Sequence, residues 1–169
     1  MNRALLASAA LLLLLPVADV VAKSSDRNQA MTIDSGSQSG NMEGNGKTVL
    51  GGGVVVTQGF LFNDTATAEI YTADGEVSRS VFTGKQVKMK QQMDDGTWMD
   101  AQADRVEYDM KTETITFIGN YTVKSDRGSN SGQRMVYNTK SGNMQSGGDG
   151  TRVRTVIQPK SAQPAQGKN

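Results

Sequence analysis

The sequence has 169 residues, with 18 Lys and Arg against 17 Asp and Glu, and contains neither Cys nor His. That charge balance excludes a nucleic-acid binder held by bulk electrostatics. The missing residue types exclude disulfide staples, thiolate nucleophiles, imidazole bases and most zinc sites. Apolar residues make up 36% of the chain, and the fraction falls further once the first 22 residues are set aside. That is thin for a closed core.

Residues 1–22 read as a cleaved signal peptide. Arg3 supplies the positive start, Ala4 to Leu15 the apolar segment, Pro16 the helix break and Val20-Val21-Ala22 the small-residue cleavage site. The apolar run is short for a membrane span, and no Cys follows it to carry a lipid. The domain is expected over residues 23–159. The stretch 160–169 has no apolar pattern and is expected to be a disordered tail.

From Met31 onward the pattern alternates with period two, and no window sustains a helical period. Met31–Ser35 opens it as a candidate edge strand. Gln86 to Lys90, Thr114 to Phe117 and Gly119 to Val123 alternate clearly. Asp74-Gly75, Asp94-Asp95-Gly96, Lys140-Ser141-Gly142 and Gly147 to Gly150 are turn signals between strands. Val153 to Gln158 is the second candidate edge. These features predict an all-β fold of many short strands.

An internal repeat accompanies the alternation. An apolar residue lies just ahead of Gly in Leu50-Gly51-Gly52, Phe82-Thr83-Gly84 and Phe117-Ile118-Gly119. A small residue is followed by apolar ones three and five places on in Ala103…Val106…Tyr108 and Gly132…Met135…Tyr137, with a weaker copy in Thr65…Ala68…Ile70. The step from three to two predicts a corner. Stacked units of this kind predict a continuous apolar lining, either filled as an ordinary core or incompletely filled as a groove for an apolar ligand.

Several of these segments together resemble a known family. They are Asn28 to Ser35, Gly53 to Gly59, Ala103 to Tyr108, Phe117 to Asn120 and Arg152 to Pro159, in that order behind a signal peptide. The set resembles the LptA or OstA-like family of periplasmic lipopolysaccharide transport proteins over about Asp26 to Pro159. The resemblance implies an open, twisted antiparallel β-jelly roll shaped like a taco. It implies a non-enzymatic periplasmic carrier that shields lipid A acyl chains in an apolar groove and bridges the inner and outer membranes. It further implies edge-strand pairing with inner-membrane LptC and outer-membrane LptD, and head-to-tail self-association. Phe60 to Thr67 departs from the family pattern, because Asn63-Asp64 is a poor strand former.

Strand parity assigns the groove lining to Met31, Ile33, Leu50, Val54, Val56, Phe82, Val87, Met89, Val106, Tyr108, Ile115, Phe117, Tyr121, Val123, Met135, Tyr137 and Met144. Met suits acyl chains of varied shape. Arg79 and Lys85 are the candidate phosphate contacts. No catalytic residue, metal ligand or cofactor site is expected. Asp94-Asp95 and Asp104…Glu107 are the available acid pairs, and neither has the spacing of acids converging on one substrate. Two rivals are a structural scaffold joining envelope partners by strand addition and, from another class, a secreted β-solenoid enzyme acting on polysaccharide.

Overall fold

The computed structural model describes residues 29–159; the expected signal peptide and the expected tail lie outside the described residues. Ten strands follow one another: β1 (Thr32–Asp34), β2 (Ser37–Gly40), β3 (Lys47–Thr57), β4 (Phe60–Ala73), β5 (Glu76–Gln92), β6 (Trp98–Asp109), β7 (Thr114–Ser125), β8 (Gly128–Asn138), β9 (Met144–Ser146) and β10 (Arg154–Ile157). They form one open antiparallel sheet in the order β1-β3-β4-β5-β6-β7-β8-β10, with β2 also on β3 and β9 also on β8. The expected turns supply the hairpins. Asp74 and Gly75 take φ of 54° and 83°, the left-handed pair that a two-residue hairpin needs.

The sheet is creased. Register shifts fall between Gly51 and Val54 on β3, Asn63 and Thr67 on β4, Thr83 and Val87 on β5, Gln102 and Arg105 on β6, and Ile118 and Tyr121 on β7. They line up across the sheet. An unmatched residue bends its strand and moves the following side chains to the other face of the local alternation. The crease divides the sheet into two panels. The first holds β1, β10 and the parts of β3 to β8 that pair between them; the second holds β2, β9 and the remaining parts.

The panels face each other. Phe62 of the first stacks on Phe82 of the second, with ring centroids 4.3 Å apart and planes 19° apart. The core is one cluster drawn from both panels.

This geometry explains the repeat. In each of the three copies the small residue lies on one side of the crease and the two apolar residues on the other, so the three-residue step spans the shift. Gly132 is the copy where size matters most: a Cβ there would lie 3.1 Å from the Tyr121 ring. The Gly of the other motif sits at the crease itself. Gly119 has φ 77°, and a Cβ on it would meet the Asp104 carboxylate at 2.6 Å. Asn120 donates from Nδ2 to Asp104 Oδ2 (2.8 Å) and accepts at Oδ1 from Gln133 Nε2 (3.1 Å), tying β6, β7 and β8 together there.

Two features differ from the sequence reading. The glycines do not separate short strands; β3 to β8 run 11 to 17 residues, and each passes through the crease into both panels. Asn63-Asp64 does not interrupt β4. Asp64 falls in the register shift on both sides and Asn63 is paired with Lys88 of β5 alone, so the two weak strand formers sit at the crease, where the ladder is already interrupted.

Candidate functional site

Side chains on the inner surface form rows across the sheet, because direct partners on neighbouring strands share a face. In the first panel one row runs Ile33, Val56, Phe62, Met89, Ala101, Val123, Asn130 and Thr155. In the second panel one row runs Leu50, Ala68, Phe82, Val106, Phe117, Met135 and Ser146; another runs Thr48, Ile70, Ser80, Tyr108, Ile115, Tyr137 and Met144. The interior is thus an apolar trough whose long axis crosses the strands.

All of the assigned lining residues from Leu50 to Tyr137 are buried in the one cluster. Met31 and Ile33 pack against its rim. Met144 is different: it is 58% exposed, because β9 is a three-residue edge strand at the open end. Sequence reasoning missed Phe62, Ile70, Met93 and Met99, which belong to the same cluster. Phe62 was hidden by its place in the atypical stretch. Met93 and Met99 flank a turn, where alternation gives no parity.

The trough is packed at the crease and open between the panel tips. A cavity of about 430 Å³ lies there; Met93, Met99 and Val123 of the first panel and Tyr137 and Met144 of the second give it an apolar wall, and Thr97, Ser125, Asp126, Arg127, Ser141 and Asn143 give it a polar rim. It adjoins a second hollow of about 180 Å³ under β10, with which it shares Val123, Ser125, Arg127 and Met144. An apolar cavity of about 150 Å³ already admits a benzene-sized guest. This mouth therefore has room for a stretch of aliphatic chain. A polar knot closes the interior beside it: the Tyr121 hydroxyl donates to Asn130 Oδ1 (2.5 Å), Ser146 donates to the same oxygen (3.0 Å), and Asn130 Nδ2 donates to Thr155 (2.9 Å). Inside the apolar walls, Thr48 Oγ1, Ser80 Oγ and Gln91 Oε1 are buried with no hydrogen-bond partner among the described residues.

Of the charged residues, Asp126 and Arg127 line the mouth and the expected phosphate contacts lie elsewhere. Arg79 is not at the mouth but on the outer face of the second panel, 2.6 Å from Glu107 and over the Tyr71 ring at 5.5 Å. Arg105 holds the other Glu107 oxygen at 2.8 Å. Partial burial pushes the Glu107 carboxyl up, but the two guanidinium hydrogen bonds outweigh it and leave it below its ordinary range. Lys47 donates to Glu69 at 2.5 Å, and that bond, with one from Tyr71, lowers Glu69 as well. Lys85 is exposed within the crease of β5, also away from the mouth. The cation that does line the mouth is Arg127, 3.5 Å from Asp95. Asp95 accepts the Thr97 hydroxyl (2.6 Å) and amide (3.0 Å), which hold its carboxyl below the usual range. It is a turn-forming residue. Asp104 serves the crease and Glu107 the outer arginines, so these two acids do not converge on a common point.

The family model described as LptA/(LptD N-terminal domain) LPS transport protein matches residues 32–143. Among similar proteins, the lipopolysaccharide export system protein LptA of Haemophilus influenzae is 33% identical over 85% of this chain and 85% of its own length. The protein of the same name from Escherichia coli K12 is 29% identical over 85% of this chain and 78% of its own. The crystal structure of Pseudomonas aeruginosa LptH, described as the LptA homologous periplasmic component of the lipopolysaccharide transport device, has the same fold. It matches with a TM-score of 0.71 at 23% identity, covering 80% of this chain and 99% of that one. With the creased open sheet and its apolar trough, these matches establish that the chain belongs to the LptA/(LptD N-terminal domain) family of lipopolysaccharide transport proteins.

Proposed function

We propose that this protein carries lipopolysaccharide across the periplasm, holding acyl chains between its two panels without making or breaking a bond. The observation that carries this reading is the mouth of about 430 Å³, whose apolar wall is Met99 and Val123 on one side and Tyr137 and Met144 on the other beneath a polar rim. The volume suits part of one acyl chain. Seating several chains requires the flexible Met93, Met99 and Met144 side chains to swing aside, a movement that unbranched thioethers make easily. The remaining assigned lining residues, deeper in the trough, are the walls along which the chains extend. Arg127 at the rim is placed to meet a lipid phosphate, a role that Arg79 and Lys85 serve less well from the outer face and the crease. The exposed edges of β1 and β10 support strand addition with LptC, LptD and further copies of this chain. The apolar N-terminal segment supports export through a cleaved signal peptide.

The test is photocrosslinking of purified protein to lipopolysaccharide from probes placed one at a time at Met99, Met144 and Lys85. Crosslinks from the first two, and none from the third, are expected. A folded protein that crosslinks from none of them would instead favour the scaffold with a filled core.

A further inference from the structure

We propose that Arg154 pairs with Asp34 of a second copy and so sets the register in which two copies join. This rests on the reading above that the β10 edge of one copy accepts the β1 edge of the next. Every neighbouring pair from β1 to β10 is antiparallel, and eight strands lie in the path, so β1 and β10 run in opposite directions. A second copy placed with its β1 beside β10 therefore continues the antiparallel order of the sheet.

The interior row decides the register. The row that starts at Ile33 on β1 ends at Thr155 on β10. Carrying it across the junction sets Thr155 opposite Ile33 of the second copy. Antiparallel counting then fixes the neighbours. Ile157 lies opposite Met31 on the inner face; Arg154 lies opposite Asp34 and Val156 opposite Thr32 on the outer face.

Both faces match chemically. Ile157 is 81% exposed in the single chain and would cover Met31, which is itself only partly buried. Asp34 and Arg154 are exposed, and neither forms an ion pair among the described residues. Opposite charges directly across an antiparallel pair attract, and like charges repel. Sliding the strands by two residues loses the match. One slide sets Arg154 against Thr32 and brings Arg152 to Asp34; the other sets Arg154 against Gly36 and Val156 against Asp34. Both break the interior row.

The test is sedimentation velocity on the exported protein at physiological salt, comparing wild type with Arg154→Asp, Asp34→Arg, the double charge swap and Arg152→Asp. Each of the first two variants is expected to weaken association about tenfold, or about 1.4 kcal/mol. The double swap is expected to return to within about threefold of wild type, and Arg152→Asp to stay there too. All three positions are exposed, so circular dichroism and melting should remain unchanged. Wild-type association that Arg154→Asp leaves intact, or that the swap fails to restore, overturns the register while leaving edge pairing standing. A wild-type protein that stays monomeric at all concentrations overturns both.

Discussion

Truncating Phe62 to Ala tests whether the two panels are held together by packing near the crease. The side chain is fully buried and stacks on Phe82 across the interior. A buried aromatic ring removes about 200 Å² from water, which at about 25 cal/mol/Å² gives an upper bound of about 5 kcal/mol. Ala retains part of that, while the lost stacking and the void add to the cost, so we expect about 4 kcal/mol. Against a typical total of about 5–15 kcal/mol, that is a large share. Urea unfolding followed by far-ultraviolet circular dichroism should show the midpoint falling by about 2 M for a slope near 2 kcal/mol/M. The comparison is Met99→Ala. Met99 borders space that is already empty, so its removal should cost about 2 kcal/mol, the low end for such truncations. A loss below about 1 kcal/mol for Phe62→Ala, with an unchanged slope, would refute the account of facing panels joined through their aromatic contact.

The other expectations concern the crease, the outer face and the mouth. Gly119→Ala combines positive φ with a clash against Asp104, and should cost about 1–3 kcal/mol by the same urea titration; a neutral result would mean the bend is not fixed there. Glu69 and Glu107 have folded pKa values below their ordinary ones, so their contribution is complete above the unfolded carboxylate pKa and is lost as pH falls through the folded values. With no His in the chain, the melting temperature should be flat from about pH 8 to 5 and drop below about pH 4. Arg79→Ala should change stability by no more than about 1 kcal/mol, since its ion pair is partly exposed, and should leave lipopolysaccharide binding unaltered in a fluorescence displacement assay. Arg127→Ala should weaken that binding by a few-fold while leaving the fold intact.

Much of this architecture is legible in the sequence because period-two alternation and the repeated three-then-two step both report physical constraints. Alternation places Val54, Val56, Met89, Ile115 and Phe117 on the inner surface, and the structure has them buried. The small residues Ala103 and Gly132 mark the corner, and at Gly132 a side chain would crowd the Tyr121 ring. What alternation cannot give is continuity. A bulge resets the face of a strand without ending it, so the glycines read as boundaries when they are bends. Nor can alternation reach the mouth. Met93, Met99, Arg127 and Asn143 lie in or beside turns, and only the pairing of distant hairpins brings them to one cavity. Arg79 shows the same limit in reverse: its charge is plain in the sequence, while its commitment to Glu107 and Tyr71 depends on which residues lie across from it on neighbouring strands.

The direction of the trough has a consequence for how its capacity is set. Because the apolar rows run perpendicular to the strands, each strand contributes one slice of wall about 4.8 Å thick, and the eight-strand path gives a channel about 34 Å long. Loop length does not enter this measure. Inserting or deleting a hairpin would lengthen or shorten the channel by about 10 Å without altering its cross-section, provided the new strands carry the mid-strand bulge. Width is governed separately, by the side chains on either side of the crease. Channel length and channel width are therefore independent quantities in this fold, one counted in strands and the other in side-chain volume.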